Sequence, residues 1–256
     1  MKENQNSNPL VSIVTGTYNS ASFIADCVSS INTQDYPKIE HIIIDGLSKD
    51  NTIQIIKNTP NRVTKIISEP DDGIYDAMNK GLKLAKGNII GILNSDDFYN
   101  DSKVLSMVAK TFEETGADCV FGDLYYVTAE NTDKIVRKWV TGNYYPNAFR
   151  KGWHPAHPSF FVKREVYEKY GYFDTELRLA ADFELMLRFL EIHQLKPAYI
   201  PFPMVRMRLG GATSKNLTNI INGNKECIEA FRKNGVRPPM AYPIVRLVPK
   251  LKQYFS

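Results

Sequence analysis

Three short polar segments hold the side chains best suited to chemistry, and each directly follows an apolar run that predicts a strand. They are residues 15–19, 45–50 and 94–97. In an open parallel sheet the carboxyl ends of the strands meet at one edge, and ligands bind there. Asp, Asn and Ser also form turns and cap helices, so one such segment alone would not indicate a site. Three of them at one predicted edge favour a binding site.

The chemistry that these segments favour is the binding of a divalent cation and a diphosphate. Neither GxGxxG nor GxxxxGK[ST] occurs in the chain, which argues against a dinucleotide or P-loop site. A bound diphosphate would then need Mg²⁺ or Mn²⁺, held by hard oxygen ligands, to neutralise its charge. Asp96 and Asp97 are adjacent, so in an extended segment their side chains point to opposite sides. We expect at most one of them to bind the metal, while the other orients the loop.

The composition is that of a globular protein with an ordinary core. Of 256 residues, 43% are apolar and 23% are charged, and the net charge of +4 is too small to indicate a nucleic-acid partner. Cys27, Cys119 and Cys227 are far apart and odd in number, which argues against a disulfide framework or a zinc knuckle and favours a reducing compartment. No apolar run reaches the roughly 18 to 20 residues that span a bilayer, and residues 1–8 lack the apolar stretch of a signal peptide. We therefore expect a cytoplasmic protein, with peripheral contact to the inner face of a membrane left open.

The elements that must position these segments alternate between strand and helix. Strands are predicted at 10–14, 42–44, 63–67 and 89–93, with helices at 20–34, 50–58 and 74–85 between them. This order predicts an α/β fold with a mostly parallel central sheet and helices on both faces.

After Val120 the pattern changes. We expect a hairpin (124–128 and 135–140), an aromatic and proline-rich loop (141–158), a strand (159–162), two apolar runs flanking Pro201, and helices at 182–193 and 216–234. No linker interrupts the chain. The prediction is one domain over residues 9–230, with a nucleotide-binding half (9–123), an acceptor-binding half (124–230) and a basic, apolar tail (231–256).

A series of motifs follows in order along residues 9–214. They are VSIVT with YN, IDGLSKDNT, NKG with AKG, LNSDD, HPSF, GYFD, ADFEL and GGATS. The ordered set resembles family 2 glycosyltransferases, whose GT-A fold is Rossmann-like. The segment EPDDGIYDAMNKG at 69–81 is similar to a bacterial subgroup that serves surface-polysaccharide assembly.

The resemblance implies an enzyme that transfers a sugar, with inversion, from a nucleoside-diphosphate-sugar to a hydroxyl of a glycan or lipid-linked acceptor. The expected donor is a UDP-sugar, and the expected cofactor is Mn²⁺ or Mg²⁺. Asp96 would bind the metal, and Asp182 would be the general base. His157 and the 206–214 loop would line the acceptor and phosphate side. The donor would be contacted by Thr15, Tyr18, Asp45, Asp72, Lys80, Asn94 and Ser95, with Asp45 accepting a hydrogen bond from the uracil or ribose.

Two positions depart from the family pattern. Gly46 stands where the family usually has a second Asp after the one that matches Asp45, and Asn94 replaces the first Asp of the DxD triplet. The amide oxygen of Asn94 can still accept a hydrogen bond from a ribose hydroxyl or a metal-bound water, but it brings no charge. We expect weaker metal affinity, with catalysis retained because Asp96 is present.

Several of these residues also have a structural interpretation. Asp182 could cap the helix that it begins, and Glu184 could pair with Arg188 one turn later. His154 is better explained as a loop histidine than as a metal ligand. Aromatic side chains of the long loop could stack on an acceptor sugar or simply pack beneath the loop; they are Tyr144, Tyr145, Phe149 and Trp153.

Other functions and partners stay open at this stage. A sugar nucleotidyltransferase shares the α/β layout, but its Gly-rich basic loop after the first strand is missing. A metal-dependent phosphohydrolase would need more ligands. Gly46 and Asn94 give some support to a degenerate module that only binds nucleotide or glycan.

Residues 231–256 contain no acidic residue and combine basic with apolar side chains, so they could lie on anionic lipid or pack on the domain. The chain could also pair with a second copy of itself.

Overall fold

The computed structural model describes residues 8–210 and 217–247. In the first half, strands and helices alternate as predicted. They are β1 (Val11–Thr17), α1 (Ile24–Asn32), β2 (Ile39–Asp45), α2 (Thr52–Asn58), β3 (Val63–Ser68), α3 (Ile74–Leu84) and β4 (Ile89–Ile92). These four strands are parallel and lie in the order β3-β2-β1-β4.

The second half continues the same sheet. Its elements are β5 (Phe98–Tyr99), α4 (Val104–Thr115), β6 (Cys119–Val127), β7 (Ile135–Trp139), β8 (Phe160–Lys163), α5 (Arg164–Tyr170), α6 (Ala181–Leu187) with a π-helical extension (Arg188–Ile192), β9 (Pro197–Arg208), α7 (Leu217–Lys233) and α8 (Tyr242–Val245). β8 lies antiparallel between β4 and β6 and so joins the two halves into one domain.

The sheet is mixed rather than parallel throughout. Beyond β4, the β6–β9 pair is parallel, whereas β5, β7 and β8 pair antiparallel with their neighbours. For β7 the reason is its connection: the β6–β7 hairpin reverses the chain with a short turn, which only antiparallel strands allow. The predicted α/β class and the predicted hairpin are confirmed.

Alternate residues of the central strands enter two apolar cores, one on each face of the sheet. Ile13 and Ile43 belong to one core with α1 and α4, whereas Val14, Ile42 and Ile44 belong to the other with α3, α6 and α7. Because both faces are covered, β1 is buried along its whole length.

Some elements were not predicted from the sequence. They are β5, α4, α5 and α8, although α4 carries buried residues at helical spacing. The two apolar runs around Pro201 form one strand, β9, whose register with β6 shifts near Gly122 and Asp123.

The position proposed as the start of the tail lies inside α7, where Phe231 is fully buried, and Tyr242 farther on is buried as well. Residues 248–256 of the predicted tail lie outside the described residues. The described residues contain no helix long and apolar enough to cross a bilayer.

Candidate active site

The three polar strand ends lie side by side at one edge of the sheet. The Gly46 amide donates to the Thr17 carbonyl over 2.9 Å, which joins the first two segments. The Asn19 amide donates to Ser48 Oγ over 2.8 Å. The hydroxyls of Ser20 and Ser95 are 2.8 Å apart and join the first segment to the third. The parallel strands therefore bring together the residues that the sequence placed at their carboxyl ends.

Tyr18 and Leu47 are the large apolar side chains that these segments expose. Tyr18 is 57% exposed and Leu47 is 47% exposed. Leu47 and the neighbouring Asn19 both have a positive φ, at 60° and 50°. A non-glycine residue adopts that conformation only where its surroundings impose it, and such residues cluster at functional sites. Tyr18 thus presents an accessible ring against which a flat ligand could stack.

The side chains of Thr15 and Asp45 are buried beneath the edge, and their predicted contact with the nucleoside stays a prediction. Thr15 Oγ1 lies 3.1 Å from His41 Nε2 in the core, and both residues are fully buried. The Asp45 carboxylate is also fully buried and accepts hydrogen bonds from Ser48 and Ser68. A buried carboxylate needs such donors, so Asp45 holds the loop in shape from beneath.

Asp71 brings a carboxylate to the position where Gly46 lacks one. A Cβ atom on Gly46 would lie 2.4 Å from Asp71 Oδ2, so the Asp71 side chain fills the space that a residue 46 side chain would need. The other oxygen, Oδ1, accepts a hydrogen bond from the Gly73 amide over 3.0 Å. Sequence inspection missed this residue because the two positions are close only in the folded chain.

Asp72 and Lys80 belong to the same loop and the helix that follows it. Asp72 is exposed, and its amide donates to Asp76 Oδ2 over 3.2 Å. Lys80 Nζ donates to the Pro70 carbonyl over 2.7 Å and pairs with Glu69 and Asp76 at 3.1 and 3.3 Å. The ammonium group of Lys80 therefore fixes the loop and has two carboxylates beside it.

Asp96 and Asp97 have different surroundings, as expected for adjacent residues. Asp97 is buried and accepts hydrogen bonds from the Arg208 amide and from Asn94 Nδ2, each over 3.2 Å. Asp96 is partly exposed. Burial raises the pKa of both carboxyls, and that of Asp97 well above its usual value. Asp97 thus orients the loop, and Asp96 is left free to meet a ligand.

The side-chain oxygen of Asn94 is buried without a hydrogen-bond partner among the described residues. Leaving such an acceptor unsatisfied costs about 1–3 kcal/mol, so a ligand donor there would be favourable. Together, Asp96 and Asn94 supply two oxygen atoms of the kind that Mg²⁺ and Mn²⁺ prefer. Within residues 8–210 and 217–247, no group of three His, Cys, Asp or Glu side chains could hold a metal. The residues fit a cation that takes its remaining ligands from a diphosphate and water.

Arg208 supports the Asp96 segment from below. Its side chain is 4% exposed, donates from Nη1 to the Asp96 carbonyl over 2.6 Å and forms an ion pair with Asp26. The guanidinium also lies over the rings of Phe23 and Phe98, about 5 Å from each centroid. Arg208 belongs to the predicted 206–214 loop, but its contacts with Asp96 and Asp26 could not be predicted, since these partners are distant along the chain.

Asp182 lies in the first turn of α6, with its side chain partly exposed. Its Oδ1 accepts a hydrogen bond from Tyr75 Oη over 3.1 Å. Asp182 does not cap the helix: Ala180 occupies the N-cap, and the free amides of Leu179 and Ala180 donate to Glu226 Oε2 over 2.7 and 2.9 Å. The carboxylate of Asp182 is therefore free for another role.

The two histidines of the long loop have different environments. His157 Nε2 is buried without a partner among the described residues. Burial lowers the pKa of His157, while the charge of Asp182 acts in the opposite direction. His154 Nδ1 lies 2.9 Å from the Pro155 carbonyl, and its ring packs on Trp139 and Phe183. His154 is thus a packed loop residue, whereas His157 lies near the candidate base with an open nitrogen.

The remaining candidates on the acceptor side are mainly structural. The aromatic residues of the loop pack on Trp153, whose Nε1 donates to the Thr141 carbonyl over 2.6 Å. Glu184 is buried and pairs with Arg188 at 2.8 Å, the pair that its spacing predicted. Arg206 pairs with Asn100 and Asp133. Residues 211–214 of the predicted 206–214 loop lie outside the described residues.

Comparison with known proteins identifies the family. The model of glycosyl transferase family 2 matches residues 12–171. The chain belongs to glycosyltransferase family 2. A glycosyltransferase of Mycobacterium tuberculosis is 30% identical over 188 residues, which cover 70% of this chain and 68% of that protein. The chondroitin synthase of Pasteurella multocida is 30% identical over 196 residues, or 73% of this chain and 20% of the synthase.

Solved structures show that this family 2 chain has the GT-A fold. TarS of S. aureus with UDP-GlcNAc has a TM-score of 0.67 at 18% identity, with 96% of this chain and 72% of that chain covered. The mannosyltransferase PcManGT of Pyrobaculum calidifontis, with GDP-Man and Mn²⁺, has a TM-score of 0.67 at 18% identity, with 96% and 74% covered. The chain spans 44% of a longer TarS structure. The resemblance to a bacterial polysaccharide-type glycosyltransferase is thus confirmed.

Proposed function

We propose that this glycosyltransferase transfers a sugar with inversion from a UDP-sugar to a hydroxyl of a glycan or lipid-linked acceptor, and that it uses Mn²⁺ or Mg²⁺. The observation that carries the proposal is a pair of partly exposed carboxylates, Asp96 and Asp182. Asp96 follows the carboxyl end of β4. Asp182 accepts a hydrogen bond from Tyr75, which lies in the first turn of α3. This helix follows the carboxyl end of β3. Both carboxylates therefore belong to the edge of the sheet where α/β proteins bind ligands.

The donor would lie on the three polar segments at the strand ends. Tyr18 offers a ring for the base, Asp71 offers a carboxylate beside Gly46, and Asn94 offers a free amide oxygen. Ser95 and Asp72 remain proposed contacts of the donor, as does Lys80 through the loop that it fixes. We place Thr15 and Asp45 beneath the donor site as supports. The complexes of TarS with UDP-GlcNAc and of PcManGT with GDP-Man and Mn²⁺ support a nucleotide-sugar and a divalent cation.

The acceptor would be activated by Asp182. Its carboxylate takes the proton of the acceptor hydroxyl while that oxygen attacks the anomeric carbon and the bond to the nucleoside diphosphate breaks. A metal bound at Asp96 and Asn94 supplies charge stabilisation for the leaving diphosphate. His157, with its pKa lowered by burial, stays neutral and can accept or donate a hydrogen bond on the acceptor side.

A screen of UDP- and GDP-sugars for Mn²⁺-dependent binding and hydrolysis tests the proposal. We expect Asp96→Ala to lose metal-dependent donor binding and Asp182→Asn to bind donor but to fail in turnover. Asp133→Ala, at an exposed carboxylate with one ion pair to Arg206, is the matched control and should behave as wild type. Wild-type turnover in both site variants would refute the assignment. If the wild-type protein binds donors but shows no turnover with any donor and acceptor tested, the result would favour the non-catalytic binding module.

We further propose that α7 and α8 contact a membrane surface. Apolar side chains are exposed there: Leu217, Ile220, Ile221, Ile244 and Leu247. Arg246 Nη1 donates to Asn224 Oδ1 over 3.1 Å, which holds α8 beside this part of α7. Apolar side chains next to basic ones suit an anionic lipid surface, where a lipid-linked acceptor would lie.

Liposome co-sedimentation tests the membrane proposal. We expect Ile220→Asp/Ile221→Asp to reduce binding to vesicles that contain phosphatidylglycerol, with donor hydrolysis unchanged. Lys57→Gln/Lys110→Gln on α2 and α4, which lowers the net charge by the same two units without touching α7 or α8, is the control and should sediment as wild type. Unchanged sedimentation of the Ile220/Ile221 variant would rule out this surface.

A further inference from the structure

Tyr75 makes a hydrogen bond that links the two halves of the molecule. It lies in the first turn of α3, in the donor half, and its hydroxyl donates to Asp182 Oδ1 of α6 over 3.1 Å. The two residues are 107 positions apart in the chain. Among the described residues, no other side chain donates a hydrogen bond to this carboxylate. One oxygen is thus held by the protein, and the other, Oδ2, is left for a ligand.

The surroundings of Tyr75 are built to keep its ring in place. The ring packs on Phe173, with centroids 5.3 Å apart. Asn79, one turn farther along α3, donates to the Phe173 carbonyl over 2.9 Å and accepts from the Phe173 amide over 3.0 Å. Asn79 is buried, so these bonds are shielded from water. Phe173 and Tyr75 therefore move as one unit with α3.

Asp182 is held from its other side by α7. Glu226 Oε2 accepts the amides of Leu179 and Ala180, the residues just before α6. These bonds fix the start of the helix, but they do not set the rotation of the Asp182 carboxyl group. In the described structure that rotation is set by the hydroxyl of Tyr75.

We propose that Tyr75 is a positioning residue for the transfer step: its hydroxyl fixes Oδ1 of Asp182, so that Oδ2 faces the acceptor hydroxyl. The proposal rests on the proposed role of Asp182 as the base. A proton acceptor must be aligned with the group from which it takes the proton, and small misalignments cost large factors in rate. Burial and the charge of Asp182 raise the pKa of Tyr75 well above its usual value, so the hydroxyl stays protonated and able to donate.

The variant Tyr75→Phe removes the hydroxyl and keeps the ring on Phe173. With a UDP-sugar selected by the donor screen and UDP release as the readout, we expect kcat to fall about tenfold or more, since a hydrogen bond to a charged group is lost. The donor Kd should not change, because Tyr75 acts on the acceptor side. Tyr36→Phe is the matched control: Tyr36 is a buried tyrosine whose hydroxyl donates to the Pro9 carbonyl, away from the site. All variants are assayed well below their unfolding temperatures.

A double-mutant cycle with Asp182→Asn separates positioning from other roles. If Tyr75 acts through Asp182, then adding Tyr75→Phe to Asp182→Asn causes no further loss of turnover. Independent, multiplying losses would overturn the proposal, and so would a rise in donor Kd that accounts for the lower activity. Wild-type turnover in Asp182→Asn alone would instead refute the base assignment of the proposed function, whatever Tyr75→Phe does.

Discussion

The carboxylates of Asp96 and Asp182 are both partly exposed, yet they are held in place by different means. Asp96 lies in a loop that is fixed by its own neighbours and by Arg208 beneath it. Asp182 depends on side chains from α3 and α7, which are far away in sequence. The Asp96 loop is therefore held within the sheet, by residues at the ends of β4 and β9, whereas Asp182 is held between helices, by side chains of α3 and α7. We expect variants to affect the two sides differently.

The largest expected effects are those of the Asp182 and Asp96 variants, and they differ in kind. Asp182→Asn should lower kcat by roughly 10²- to 10⁴-fold, the usual contribution of a general base, and leave donor binding intact. Asp96→Ala should instead remove the Mn²⁺-dependent part of donor binding. Calorimetric titration with a UDP-sugar, with and without Mn²⁺, together with single-turnover rates, measures both. Equal losses of donor binding in the two variants would mean that the two sides are not separate.

Arg208 is expected to matter for stability as well as for the site. Arg208→Met leaves Asp26 without its partner and the Asp96 loop without its support. The Asp96 carbonyl loses a hydrogen bond from a charged group, which costs about 1.5–3 kcal/mol, whereas Asp26 is 57% exposed and is solvated by water when its partner is removed. Arg232→Met, which breaks a pair with Glu229 that is exposed on both sides, should cost at most about 1 kcal/mol. Urea denaturation of both variants gives the comparison, and similar losses would show that Arg208 has no special role.

The space shared by Gly46 and Asp71 allows a swap. We expect Asp71→Gly to weaken binding of the donor nucleotide about tenfold, since one hydrogen bond is lost. Gly46→Asp alone should also weaken donor binding, because Asp71 would have to turn away and two like charges would then lie side by side. The double variant Gly46→Asp/Asp71→Gly should recover much of the affinity, as it restores one carboxylate in the same space. No recovery in the double variant would show that Asp71 has another role.

A smaller effect is expected from pH through the buried His41 of the donor half. Burial lowers the pKa of His41 from 6.5 to about 3. The unfolded chain therefore binds a proton between pH 6.5 and 3 that the folded chain does not, so stability falls as the pH drops through this window. Between pH 6.5 and 5.5 the loss should be about 1 kcal/mol. His41→Gln should have a flatter pH dependence of the free energy of unfolding, and an unchanged slope would contradict this.

Much of the donor side could be predicted from the sequence. The apolar runs before residues 15, 45 and 94 mark strands by local patterns, and parallel strands have to place their carboxyl ends together. The different roles of Asp96 and Asp97 follow from the alternation of side chains in an extended segment. Which polar residues turn inward could not be predicted, because their partners lie on other segments: Thr15 of β1 bonds to His41 of β2, and Asp45 of β2 bonds to Ser68 of β3.

The sequence by itself determined the alternating α/β pattern, the site edge and the family, since these depend on short-range periodicity and on ordered motifs. Only the tertiary structure decided that Asp71 lies over Gly46, that Arg208 supports Asp96 and that Tyr75 holds Asp182. Each of these contacts joins residues 25 or more positions apart. Such contacts depend on how helices pack against the sheet, and no local pattern in the chain specifies them.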